Sequence, residues 1–284
     1  MALTNSILSM RTTLPAPQPG ARRDQVGVLS RGLAILRAFA PRNEWLSNHE
    51  IAAAVGLPRP TVSRLTANLL SLGYLTYDTQ AGQYRLAASA LTLGYGAFAS
   101  LDVWTVARPY LRDLAHDADA LAVLSIRDGM HLVCNEVFHG EHILTLRLNP
   151  GSRMQLPRST MGHALIGALP EPERAALLDE IRTQYAQDWP ALAPAFDDAV
   201  GQMRQRGFCA TLGTAEQGVN AVACVLSLDR SPYTYVLGCA APASRFPREQ
   251  LEREIGPRLL QTKADIEHEL DGVSPRTAHV EARV

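Results

Sequence analysis

GLPRPTVSRLTANLLSLGYL, residues Gly56–Leu75, sets two prolines two positions apart directly before a run of helical periodicity. Pro60 suits the first turn of a helix, where its missing N–H would have had no partner in any case. Beyond it, Val62, Leu65, Leu69 and Leu70 recur at helical spacing as an inward face, and Thr61, Ser63, Arg64 and Asn68 fall on the other side. After Gly73 the period changes to two. YLTYD (74–78), a polar turn TQAGQ (79–83) and YRL (84–86) read as a two-stranded ribbon bent at Gly82.

Working upstream, Ser47 and Glu50 form a capping-box pattern that opens a short helix, IAAAV, closed by Gly56. Before it, VLSRGLAILRAFAP (28–41) carries Leu33, Leu36 and Phe39 on one side, widened by Ala34 and Ile35, and Pro41 stops that helix. Helix, short helix, tight turn, longer helix and hairpin make a winged helix-turn-helix over residues 26–88. Its third helix presents Arg59, Pro60, Thr61, Ser63, Arg64 and Asn68 to a major groove. Arg pairs bidentately with guanine edges, Asn with adenine, and hydroxyls serve base or phosphate. Pro60 gives up one amide contact to phosphate and stiffens the helix start. Arg85 and the wing-tip residue Gln80 or Gln83 are placed for backbone or minor groove. A trihelical unit with a hairpin also serves as a protein-interaction module, in which case the same Ser, Thr and Arg are plain surface.

Charge sharpens the choice. The whole chain carries a net -1, but residues 1–100 hold nine Arg against four acids, a net of +5, and the remainder has a net of -6. A basic first third on an acidic remainder points to a polyanion met by the first part alone. Cys134, Cys209, Cys224 and Cys239 form no CxxC unit and have no His at ligand spacing, so no zinc site or other metal is implied. No run of about 20 apolar residues offers a membrane span. Residues 1–25 read as a flexible arm without the regions of a secretory signal, and residues 273–284 as a flexible tail, which makes the cytoplasm the expected compartment.

The second half follows a linker helix expected over 89–104, where Leu91, Leu93, Tyr95 and Phe98 are too many apolar residues for a free surface and Gly94, Gly96 and Pro109 interrupt. They pack on the winged domain or form a seam with a partner chain. From Ala120 a sheet is expected, with a hairpin at Asp128-Gly129 and a strand at EHILTLRL (141–148). The helices STMGHALIGALP (159–170), 171–187 and 190–207 follow. Strands at GFCATLG, VNAVACVLSLD and YTYVLGCAA then lead to a closing helix over 248–270. This is an α+β domain spanning 105–272. A ligand pocket needs apolar walls and a few donors. Met154, Leu156, Met161, Val219, Val222 and Tyr235 are the candidate walls, joined by Cys239, and Ser159, Thr160 and Asn220 the candidate polar contacts.

Together VGVLSRGLAILRAFA and LSNHEIAAAVGLPRPTVSRLTANLLSLGYLTYDTQAGQYRL resemble the DNA-binding domain of the IclR family of bacterial transcriptional regulators. GSRMQLPRSTMGHALIGALP (151–170) resembles the segment that closes over the effector pocket in that family, and AEQGVNAVACVLSLD (215–229) the later pocket segment. The resemblance spans residues 27–270. It implies a GAF-like sensor domain, a homodimer or dimer of dimers on a palindromic operator, a small organic acid, aromatic or not, as effector, and no cofactor. Pro157-Arg158-Ser159-Thr160 and Gly162-His163 stand where family members often carry His-Ala-Thr and Gly-Lys, and Gly238-Cys239-Ala240 replaces a familiar Ser-Gly. A small polar residue is common at the position of Pro60. These departures touch ligand identity more than fold. No nucleophile elbow, HExxH, P-loop or dinucleotide fingerprint appears. The rival reading is a metabolite-binding or thiol-dependent redox enzyme working through Cys209 or Cys239, with an N-terminal assembly module.

Overall fold

The computed structural model describes residues 27–40, 43–98, 102–141, 148–228, 231 and 233–272. The expected arm and tail lie outside the described residues. The chain divides into two compact units, 1–100 and 101–284.

The first unit runs α1 (Val28–Ala38), β1 (Leu46–Ser47), α2 (Asn48–Val55), α3 (Arg59–Ser71), β2 (Leu75–Asp78), β3 (Gln83–Leu86) and α4 (Ser89–Phe98). The capping box of α2 is made in full. Ser47 Oγ accepts the Glu50 N–H, and Glu50 Oε2 accepts the Ser47 N–H at 2.8 Å. Gly56 closes the helix at φ +65, a left-handed conformation that costs glycine little. A two-turn helix has little stability of its own. It stands because Ile51 and Ala52 are buried with Ile35, Phe39, Val62, Leu65 and Leu75.

Two side chains depart from the expected inward faces. Leu33 is exposed, because the buried α1 stripe is the pair Ile35 and Phe39, one turn apart. Leu70 is also exposed. It lies about 80° round α3 from Val62, and Thr66 takes the buried place with its hydroxyl 3.0 Å from the Val62 carbonyl. Pro41 lies outside the described residues. The hairpin gains a third strand, β1, that the sequence reading lacked. The order β1-β3-β2 puts β3 in the middle, with Gln83 between Ser47 and Asp78.

The second unit opens with α5 (Asp102–Ala118), β4 (Leu121–Asp128), β5 (His131–His139) and β6 (Arg153–Gln155). A 3-10 turn (Leu156–Arg158) leads to α6 (Thr160–Ala168), α7 (Glu171–Gln184) and α8 (Trp189–Arg206). Then come β7 (Cys209–Glu216), β8 (Val219–Leu226), β9 (Tyr235–Pro242) and α9 (Arg248–Gln250), which passes through a π turn (Leu251–Ile255) into α10 (Gly256–Gly272). The expected linker helix over 89–104 falls on α4 and the start of α5, residues 99–101 lying outside the described residues, and Pro109 is carried inside α5. Most of the strand expected at 141–148 also falls outside them. The hairpin loop is Gly129-Met130, one place beyond the expected Asp128-Gly129. Gly129 takes φ +60 and Met130 does not share it, the pattern of a II′ turn.

Six antiparallel strands pair in the order β6-β5-β4-β9-β8-β7. Alternation along each strand divides the core in two. Leu124, Val222, Cys224, Tyr235, Leu237 and Cys239 join α5 and α10 in one cluster. Leu121, Val123, Cys134, Cys209, Ala223 and Val236 join α6, α7 and α8 in the other. α6 is buried over most of its length, and its backbone comes so close to the preceding turn that a Cβ on Gly162 would collide with the Leu156 carbonyl.

Gly162→Ala should therefore destabilise the protein by about 1–3 kcal/mol or more, read as a lowered midpoint in urea unfolding; an unchanged midpoint would mean that α6 has room to shift. All four thiols are buried, and burial pushes them up to about 12. Only the thiolate is nucleophilic. A thiol-reactive chromophore at neutral pH should label none of the four in the native protein within minutes and all four after denaturation. Fast native labelling of Cys209 or Cys239 would bring back a thiol-dependent reaction.

Candidate DNA interface and effector site

On α3, Arg59, Pro60, Ser63, Arg64 and Asn68 are exposed and Thr61 is half-buried. Arg64 and Asn68 are one turn apart and project side by side. The neighbouring residues are tied to α2. Asn48 Nδ2 donates to Ser63 Oγ at 3.1 Å, and Thr66 Oγ1 lies 3.4 Å from Asn48 Oδ1. Arg59 Nη2 donates to His49 Nδ1 at 2.7 Å. Asn48 and His49 were missing from the sequence reading. Their signal was faint: two polar residues in the first turn of a helix whose cap was already provided by Ser47.

The wing is built from both sides of the hairpin. Asp78 Oδ1 accepts the N–H groups of Gln80 and Ala81, and Gly82 turns the chain at φ +66. Gln80 is at the tip. Gln83 is not, because it is held in the middle strand and half-buried. Arg85 is exposed, with its guanidinium 4.9 Å above the Trp45 ring, a cation–π stack that limits where it points. Asn43 Oδ1 accepts the Leu86 N–H at 2.8 Å and pins the end of β3. Elsewhere in this unit Leu29, Leu91 and Leu93 are exposed, at 75%, 62% and 56%. The side chains of Tyr95 and Phe98 lie outside the described residues.

The ten residues expected to line an effector pocket do not converge. Leu156 and Met161 are core, with Met161 packed where a Cβ of Gly238 would be and Met154 half-buried beside them. Ser159 Oγ accepts the Gly162 N–H as the cap of α6, and the Thr160 and Thr211 hydroxyls share a hydrogen bond. Val222, Tyr235 and Cys239 belong to the opposite face of the sheet, in the core with α5 and α10. Asn220 is buried and donates to the Phe246 carbonyl at 2.7 Å, so it holds the chain after β9. Val219 is half-buried at the start of β8. An apolar run does not state which of its alternating residues faces which helix layer; only the strand register decides that.

A cavity of about 680 Å³ lies instead along the outer side of edge strand β7. Pro157, Arg158 and His163 reach it from the 151–170 segment, so that segment does meet a cavity, but through residues other than those expected. α8 supplies an apolar wall of Leu192, Pro194 and Ala195, and charged groups stand around it. His163 is buried, its Nε2–H donating to the Pro157 carbonyl at 3.1 Å and its ring edge-on to Phe196. Burial lowers its pKa, with the Pro157 bond and Asp198 opposing, so the imidazole is neutral. His131 and Glu136 make no catalytic pair. His131 faces Asp128 and Gln155 across the strands, and Glu136 lies 3.4 Å from Arg108, with burial raising its pKa against that cation.

Residues 28–79 match the IclR helix-turn-helix domain, and residues 95–268 match the bacterial transcriptional regulator IclR C-terminal domain. The HTH-type transcriptional regulator TsaQ1/TsaQ2 of Comamonas testosteroni is 28% identical over 249 residues, 87% of this chain and 89% of that protein. A crystal structure of an IclR family transcriptional regulator from Brucella abortus is 38% identical, with a TM-score of 0.69 over 91% of this chain and 98% of its own. An IclR homolog from Microbacterium hydrocarbonoxydans, crystallised with 4-hydroxybenzoate, has a TM-score of 0.69 over 87% of this chain and 100% of its own, and at 17% identity it is alike in fold alone. The exposed polar face of α3, the wing beside it and the helix-covered sheet that follows are thus those of a ligand-responsive, DNA-binding transcriptional regulator, and the chain belongs to the IclR family.

Proposed function

We propose that the protein binds a palindromic operator as a dimer or dimer of dimers, and that a small organic acid changes its operator affinity. The observation that carries this is the face of α3. Ser63, Arg64 and Asn68 are exposed together, beside Arg59 and Arg85, in a unit with a net charge of +5. A polar, cationic helix face on a rigid three-helix core is what major-groove reading requires. Two such faces about 34 Å apart fit a two-fold site. The exposed Leu29, Leu91 and Leu93 supply apolar surface for the pairing. As a DNA reader its place of work is the cytoplasm; no helix among the described residues is long and apolar enough to cross a membrane.

The sensor reading rests on the second unit. Its sheet order and its two helix layers support a GAF-like domain. We place the effector at the β7 cavity, which Pro157, Arg158 and His163 of the 151–170 segment reach. A protein of the same fold holds 4-hydroxybenzoate, a small aromatic acid. Ligand acts on DNA binding through the chain that joins the units, by biasing how the two winged domains of a dimer are held.

Fluorescence anisotropy with the upstream DNA of its own gene and a scrambled control should show a clear preference for the former at about 50 and 200 mM salt, affinity falling between the two as phosphate contacts are screened. Equal weak binding to both sequences, with and without candidate acids, would sink the regulatory reading. Arg64→Ala should lose about 1–3 kcal/mol of discrimination; an unchanged footprint and affinity would remove Arg64 from the site. Asn48→Ala should weaken specific binding by about 1 kcal/mol by releasing Ser63, with the salt dependence unchanged. Unchanged affinity and sequence preference would show that Asn48 does not position Ser63.

A further inference from the structure

We propose that the cavity beside β7 is a carboxylate site in which a bound acid displaces Glu252 from Arg206, and that this exchange acts on the π turn leading into α10. The inference rests on the acid-responsive reading above and deepens it by naming the group that holds the acid.

The cavity is of the size of small-molecule sites, with an apolar wall on α8 and a charged side that carries Arg206, Arg248 and Glu252. Its best-positioned cation is Arg206. Nε donates to the Phe208 carbonyl at 3.4 Å, Nη2 donates to Gln202 Oε1, and the guanidinium stacks 4.5 Å from the Phe208 ring. Gln202 is itself fixed, since its Oε1 also accepts the Ala210 N–H at 2.7 Å. A planar guanidinium held this way loses little freedom when it takes an anion. Its remaining nitrogen, Nη1, lies 3.1 Å from Glu252 Oε1, and Arg248 Nη1 reaches the same oxygen at 3.1 Å. One carboxylate oxygen thus serves two guanidinium groups at the mouth of an apolar-walled cavity.

A ligand carboxylate is the chemical equal of the Glu252 side chain. Exchange of one for the other keeps the counter-charge of both arginines, and rehydration of Glu252, already about a third exposed, offsets dehydration of the incoming carboxylate. Other anchors are less suited. Arg158 is more exposed and lies 2.7 Å from Asp188, and Asp198 accepts from Gln202 Nε2, so a cation has no comparable seat. The apolar wall calls for a body of ring or chain type on the acid.

Glu252 lies within Leu251–Ile255, the π turn between α9 and α10. A π turn carries an extra residue that regular helix would expel, so it is a place where a helix has two available registers. Leu251 and Ile255 are buried in the cluster with Leu259 and Ile266 of α10 and with Leu111 and Leu114 of α5. Releasing Glu252 removes the tie that holds the turn to the end of α8, and the change falls on α5, the first helix of the sensor unit.

Calorimetric titration of benzoate into the full-length protein, with neutral benzamide as control, tests the site without DNA. Glu252→Gln removes the internal competitor and keeps its shape, and should tighten benzoate binding roughly tenfold; Arg206→Gln should weaken it by about the same factor or more, in protein whose melting confirms a folded state. Benzamide should not bind. No heat from benzoate in the Glu252→Gln protein, or equal benzoate affinity in wild type and both variants, overturns the proposal. Operator anisotropy with benzoate separates the two readings. A response to the acid with variant affinities unchanged sinks this site alone, whereas the expected affinities with an unresponsive operator complex sink the regulatory link alone.

Discussion

The close approach of α6 to the sheet is the constraint on which the sensor unit depends. A helix apolar on nearly every side has to be covered on every side. α6 meets that need by lying across β7, β8 and β9 with α8 outside it. Glycine lets its other sides close up as well: Gly162 lets the helix start against the Leu156 carbonyl of the 3-10 turn, and Gly167 lets it pass the Ala199 backbone of α8. Gly238 on β9 leaves the space that Met161 fills. Because the helix start is fixed there, the 3-10 turn before it is fixed too, and with it the direction in which Arg158 and His163 face. The same packing spends the Ser159 and Thr160 hydroxyls on the cap and on Thr211.

The winged unit meets the opposite problem. Its helices are short, and α2 has only two turns, so the angle between α2 and α3 needs more than a small apolar cluster to define it. Polar contacts supply that definition. Thr66, buried inside α3, and Ser63, exposed on it, both meet the Asn48 side chain from α2. The contact that favours one arrangement is Asn48 Nδ2 to Ser63 Oγ, which a shifted helix would break, whereas the Thr66 hydroxyl keeps the Val62 and Ser63 carbonyls of its own helix. The DNA-facing side chains thus begin from a geometry set by groups that need not touch DNA.

Much of this architecture is legible in the sequence. The capping box at Ser47, the stop at Gly56, Pro60 in the first turn of α3 and the bend at Gly82 are local signals whose chemistry admits few alternatives, and each has the structure expected of it. The exposed side of α3 follows from the same periodicity, although that periodicity put Leu33 and Leu70 on the wrong side by treating every leucine as inward. The strands at 209–216, 219–226 and 235–242 also lie in the expected stretches, but which neighbour each element meets is not legible. β1 is two residues long and exists because β3 offers it an edge. Between Gln80 and Gln83 polarity does not choose the wing tip; pairing does, by holding Gln83 in the middle strand. Val222, Tyr235 and Cys239 read as pocket walls because strand composition does not reveal which face a helix will cover. The cavity itself joins residues from α8, β7 and the π turn, segments that no local pattern connects.

The two units have to communicate for the protein to be a regulator, and the energy required is modest. A tenfold change in operator affinity corresponds to a coupling of about 1.4 kcal/mol. The ligand has to supply that as a difference between two states, since binding both equally shifts nothing. A contact at Arg206 is suited to this because the position is already occupied. In the free protein Glu252 neutralises the guanidinium and ties the π turn to α8. With acid bound, neutralisation persists and the tie does not. The two states therefore leave the guanidinium equally paired and differ in whether the turn before α10 is held, which is the kind of difference a packed core converts into a discrete helix position.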